Sequence, residues 1–199
     1  EGFQDPKRER SSLNGRHESH IISVGDTPIV SGGTYERELK GILRGDMVII
    51  EKVTRTCNPE EKECYLRIVD KPFVVSRAAG SMGFDLIALR GDISFPIEVK
   101  ASTRKTIRFS DSSGRASDQA RRMIGECDRA GLFPVYAYRL KGHRGDSWRV
   151  FAMEVRGVRG RLGLVLRRLP KIGKSPVGHY LLRWEEGLPL HKFIDYLCK

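Results

Sequence analysis

The chain has 199 residues and carries 36 Lys and Arg against 25 Asp and Glu, a formal net charge of +11. It is long enough for one good-sized core, and no apolar run approaches the ~18 residues of a membrane span. The charge points to a polyanionic partner, and the many arginines suit paired contacts to phosphate. No signal-peptide pattern opens the sequence, which starts at Glu1, so a cytoplasmic protein with free thiols is expected. The four cysteines, Cys57, Cys64, Cys127 and Cys198, show no CxxC pair or Cys/His cluster, which argues against zinc.

Residues 1–33 are polar and read as an arm. "TYERELKGILRG" has near-helical apolar spacing at Tyr35, Leu39 and Ile42–Leu43, with Thr34 able to cap and Gly45 able to stop a helix. "DMVIIEKV" and "CYLRIVD", flanking a charged loop, are predicted to form a hairpin. "PFVVSRAAGSMG" reads as a strand running into a small-residue loop, and "FDLIALRGDISFPIEVK" as a hairpin turned at Arg90-Gly91-Asp92. Residues 117–129 are helical by pattern, with Ala120, Met123, Ile124 and Cys127 on one face and Gly131 at the end. "FPVYAYRL" and "SWRVFAM" are strands, as are "GLVLRRL" and "GHYLLRW" in the basic segment beyond Met153, before a short helix at "PLHKFIDYL". The order predicts an α/β fold, a mixed sheet flanked by helices. The expected division is an arm (1–33), a main domain (34–154, with an insertion at 46–71) and a basic C-terminal extension (155–199). Arg-Gly-Asp occurs at 44–46, 90–92 and 144–146, as turn chemistry.

The informative stretch is "PIEVK". Side chains alternate along a strand, so Glu98 and Lys100 share one face while Ile97 and Val99 share the other. Such charges are costly to bury unless they are paired or hold a metal. Asp85 on one strand of the hairpin and Glu98 on the other could clamp one hard cation, with the Val99 carbonyl as a third oxygen. Lys100 could then orient or deprotonate a water and steady charge on a phosphate. A solvated hairpin face would show the same spacing, and the apolar flanks argue against one.

Taken together, "YERELKGIL", "VVSRAAGSMGFDLIAL", "FPIEVK" and "SDQARRMIGECDRAGLFPVYAYR" resemble, in order, the elements of PD-(D/E)xK nucleases, and specifically the archaeal Holliday junction resolvases. The match covers about half the chain. The resemblance implies a restriction-endonuclease-like fold and a Mg²⁺-dependent DNA endonuclease, with Mn²⁺ as a substitute, acting on branched DNA as a homodimer. It implies catalytic roles for Glu36, Asp85, Glu98 and Lys100, with Asp85, Glu98, Val99 and Glu36 around the metal. Arg77, Ser81 and Gln119 fall at positions that could contact substrate. Arg77 reads equally as a carboxylate partner, Ser81 as a turn residue and Gln119 as a surface helix residue.

The chain departs from those resolvases in the insertion 46–71, the arm and the C-terminal extension. A repair or restriction nuclease acting on other DNA structures, or a non-cutting nucleic-acid-binding protein of the same fold, remains open from sequence.

Overall fold

The computed structural model describes residues 33–78, 83–109 and 115–199. Its first element, α1 (Gly33–Leu43), follows the apolar stripe of the sequence, burying Leu39, Ile42 and Leu43. Thr34 lies inside the first turn, because the helix begins at Gly33. Gly45 ends it with φ of +71°, a backbone conformation that glycine adopts without cost. Its N–H donates to the Ile42 carbonyl at 3.0 Å.

Residues 46–71 fold as helices, not as the predicted hairpin. They form α2 (Met47–Val53), α3 (Pro59–Leu66) and a 3₁₀ turn at Arg67–Val69. Two caps decide this. Asp46 accepts hydrogen bonds from the Val48 and Ile49 N–H groups at 3.0 and 3.3 Å. Asn58 and Glu61 form a reciprocal capping box just before and after Pro59 and Glu60. The β-branched run in "MVII" imitates a strand, yet burial falls on Ile50 and Thr54, four residues apart, and on Tyr65 and Ile68, three apart. That is helical spacing.

The expected hairpin is present downstream. β1 (Val74–Arg77), β2 (Leu86–Arg90) and β3 (Ile93–Ser102) pair antiparallel in that order. The Arg90 guanidinium clamps the Asp92 carboxylate across the turn at 2.6 and 3.0 Å. After β3 come β4 (Thr106–Arg108) and α4 (Arg115–Ala130), which return the chain to β5 (Val135–Leu140), parallel to β3. β6 (Trp148–Ala152) pairs antiparallel with β5.

Beyond β6, "GLVLRRL" is not the predicted strand but α5 (Gly160–Arg168), with Val165 and Leu169 buried at helical spacing. β7 (Gly173–Lys174), β8 (Tyr180–Arg183), β9 (Leu188–Pro189) and α6 (Leu190–Cys198) complete the chain order. The main sheet is six-stranded, β1-β2-β3-β5-β6-β9, and a three-stranded sheet, β4-β8-β7, lies apart from it. This mixed sheet with flanking helices is the α/β architecture expected from sequence.

The sheet divides two apolar clusters. Ile97, Val135, Ala137 and Val150 face a core shared with Leu39, Ile42, Phe193 and Leu197. Tyr136, Tyr138 and Phe151 join Ala120, Met123, Cys127, Leu182 and Trp184 in the other. Each fully buried large apolar side chain contributes roughly 1.5–3 kcal/mol. α6 backs the β2–β3 hairpin directly. The Phe193 and Phe95 rings are 5.9 Å apart, and Arg90 Nη2 donates to the Leu197 carbonyl at 2.7 Å.

One polar group is buried at the junction of α3, β6 and α6. Asp146 Oδ1 accepts from the Tyr65 hydroxyl at 2.9 Å and the Trp148 N–H at 3.0 Å. Its Oδ2 accepts from the His191 N–H at 2.9 Å and faces His191 Nδ1 at 2.8 Å. All four cysteines are unbonded.

Candidate active site

The site forms where β2 stops short and β3 continues. β2 begins opposite Ile97, so β3 runs on past the first residue of β2 with part of its backbone unpaired on that side. Asp85, just before β2, extends the ladder: its N–H donates to the Ile97 carbonyl, and the Ala78 N–H donates to its own, both at 2.9 Å. Its carboxylate then takes the place of a missing strand. The Val99 N–H donates to Asp85 Oδ2 at 2.7 Å.

Glu98 stands opposite Tyr136, and Lys100 opposite Tyr138, on neighbouring strands. Cross-strand partners share a face, so both charged residues project toward the α4 side of the sheet. Glu98 is only 4% exposed. Its Oε1 accepts from Lys100 Nζ at 2.6 Å and from Gln119 Nε2 on α4 at 3.3 Å. Its Oε2 is buried with no hydrogen-bond partner. A buried polar atom normally finds a partner, so this orphan marks a place where something else belongs.

Gln119 also ties α4 to the loop before Asp85, donating to the Gly83 carbonyl at 2.9 Å. Gly83 has φ of +79°, and a Cβ there would sit 3.4 Å from Gln119 Cγ. From α1, Glu36 reaches the same region and forms an ion pair with Arg77 at the end of β1. Glu36, Arg77, Ala78, Gly83, Phe84, Asp85 and Gln119 line a cleft of about 210 Å³.

The electrostatics are those of crowded acids. Burial pushes the Glu98 carboxyl up to about 7; the Lys100 ammonium opposes the shift and Asp85 adds to it. Burial also raises Asp85, against the Val99 N–H and with the help of the Glu36 charge. A cation between these acids would reverse the repulsion. Among the described residues no three or more His, Cys, Asp or Glu side chains are placed to hold a metal ion together. Mg²⁺, however, needs only one or two carboxylates with waters and substrate phosphates. Asp85 and Glu98, with the orphaned Oε2, fit that requirement.

Of the residues singled out from sequence, Glu36, Arg77, Asp85, Glu98, Val99, Lys100 and Gln119 come together here, while Ser81 lies outside the described residues. Sequence reasoning missed Gly83, whose carbonyl positions Gln119. Its only signal was a glycine immediately before the strand that carries Asp85.

No family model matches the chain, and no curated protein matches it. Among solved structures it is similar to Hjc, a Holliday junction resolvase from the archaeal hyperthermophile Archaeoglobus fulgidus. The TM-score is 0.42 at 16% identity, over 64% of this chain and 89% of that one.

Proposed function

We propose that this protein is a metal-dependent DNA endonuclease that hydrolyses phosphodiester bonds, with branched DNA as the preferred substrate and a homodimer as the working form. The observation that supports it best is the pairing of Asp85 with a buried Glu98 whose Oε2 has no partner, beside Lys100. The +11 charge supports DNA as partner.

Asp85 and Glu98, with the Val99 carbonyl and Glu36, would hold Mg²⁺ or Mn²⁺. Such an ion, when bound, supplies a Lewis acid and an acidified water. Glu98 keeps Lys100 Nζ in reach by its ion pair, so the ammonium is aimed before substrate arrives. Lys100 Nζ would orient the attacking water by donating to it, and would offset charge growing on the phosphate. Gln119 fixes the Glu98 carboxylate through its amide. Arg77, which pairs with Glu36 at the cleft, would clamp a phosphate oxygen. Ser81 is a candidate contact to the DNA backbone on its sequence position alone.

The test is incubation of supercoiled plasmid, four-way junctions, flaps and linear duplex with Mg²⁺ or EDTA, using wild type, Asp85→Asn and Glu98→Gln. Metal-dependent cutting that both variants lose, strongest on junctions, is expected. Binding without cutting on every substrate would overturn the enzymatic reading. Wild-type rates in either variant would overturn the site.

A further inference from the structure

β3 does not end at Lys100. Ser102 follows on the same face, two residues and roughly 6.6–6.8 Å further along the strand. Its Oγ accepts the Arg104 N–H at 2.9 Å and bends the chain toward β4. The bend is pinned from three sides. The Tyr138 hydroxyl donates to the Arg104 carbonyl. The Trp184 N–H donates to the Lys105 carbonyl at 2.8 Å, and the Lys105 ammonium pairs with Glu185. In β4, Ile107 turns toward the second apolar cluster, while Thr106 and Arg108 are exposed. β4 is an edge strand of the small sheet, so nothing in that sheet covers its outer side.

The outcome is a groove of about 580 Å³ lined by Ser102, Arg104, Thr106, Ile107 and Arg108. Two arginines, a serine and a threonine bring guanidinium and hydroxyl groups to its lining, and that described lining contains no acid. These are the groups that bind phosphate oxygens without reading bases.

Building on the nuclease reading above, we propose that this groove is a second backbone subsite, holding phosphates of the DNA strand that is cut, a few nucleotides from the bond at Lys100. A free anion would need one such donor pair. A row of donors that starts two residues past Lys100 suits a polymer whose neighbouring phosphate is already at the site. The groove depends on β4 pairing with β8, which belongs to the C-terminal segment. That segment therefore contributes to substrate binding by shaping the edge next to the catalytic strand.

The test measures affinity for a synthetic four-way junction and for a linear duplex in EDTA, from low to physiological salt. It uses wild type, Arg104→Ala/Arg108→Ala, and a control pair of exposed cations on and after α2, Lys52→Ala/Arg55→Ala. The groove variant should bind tens of fold more weakly at 0.1 M salt, with a log–log salt slope shallower by about 1.8, that is ~0.9 for each phosphate no longer held. The control should bind like wild type. Methylphosphonates placed one at a time along the cut strand should weaken wild type at two or more positions near the cut, and leave the groove variant unaffected at those positions. A groove variant with wild-type affinity and slope overturns the subsite, as does a control that is weakened as much. If wild type binds with these differences but cuts nothing, the nuclease reading fails and the subsite stands. If wild type cuts and the groove variant binds normally, the reverse holds.

Discussion

Replacing Lys100 with alanine separates binding from chemistry. Lys100 Nζ is 2.6 Å from Glu98 Oε1, and its side chain is about one-third exposed (33%), so it can reach a phosphate while still held by the strand. Loss of a charge aimed at the developing oxyanion costs about 3–4 kcal/mol, or roughly 10²–10³ in single-turnover rate. DNA affinity should fall by no more than a few fold, with a log–log salt slope shallower by at most ~0.9, because a single phosphate contact is lost. Stability without metal should fall by only ~1 kcal/mol, because the pair is partly screened by solvent. Gln119 also still donates to Glu98. Metal affinity should hold or rise, since a positive charge leaves the neighbourhood of the acids. The assay is single-turnover cleavage in Mg²⁺ beside DNA binding in Ca²⁺, with Lys100→Arg to test whether charge alone restores rate. A Lys100→Ala protein that cuts normally, or that fails mainly by releasing DNA, would refute this reasoning.

Glu36 and Glu38 should part company. Glu36→Gln should slow cleavage with little change in melting temperature. Glu38 Oε1 instead accepts from Arg139 Nε at 2.9 Å and Trp148 Nε1 at 2.8 Å, so Glu38→Gln should destabilise by about 1–3 kcal/mol and leave single-turnover rates intact below the melting range. Asp146 sets an acid limit. Burial alone would raise its pKa, but hydrogen bonds from His191, Trp148 and Tyr65 outweigh burial and hold it below the ordinary value, with Arg149 also donating to its backbone carbonyl. A depressed acid stabilises the fold above its unfolded pKa of about 3.9, and that stability drains away as pH falls through the folded value. Asp146→Asn should therefore cost ~2–4 kcal/mol in urea unfolding at pH 7 and less at pH 3, below the unfolded pKa. An equal loss at both pH values would refute the charged network.

The β2–β3 hairpin was legible because its alternation is local: Glu98 and Lys100 share a face by strand geometry alone. α1 and α4 were legible from their apolar spacing. The insertion misled because "MVII" is β-branched, while its caps, Asp46 and Asn58, carry the decisive hydrogen bonds in single residues. α5 misled because "GLVLRR" is short and bounded by glycine. The site's remaining features were hidden for another reason. The Gln119–Gly83 bond and the β4–β8 pairing join residues far apart in sequence, and no local pattern encodes such pairings.

The back of the β2–β3 hairpin leans on α6 through Phe193 and Leu197, and that has a consequence for synthesis. Glu98 and Lys100 leave the ribosome about 100 residues before Leu197, a delay of about 5–20 s at ~5–20 residues per second. Throughout it Phe95 lacks the Phe193 ring and Arg90 lacks the Leu197 carbonyl, and the part of the apolar face that α6 covers is open to chaperones or to neighbouring nascent chains. Pairings of such long sequence separation form slowly. A ribosome stalled between the hairpin and α6 thus displays Asp85 and Glu98 on a hairpin that α1 can back but α6 cannot yet, and the support behind Glu98 is complete only when that last helix has docked.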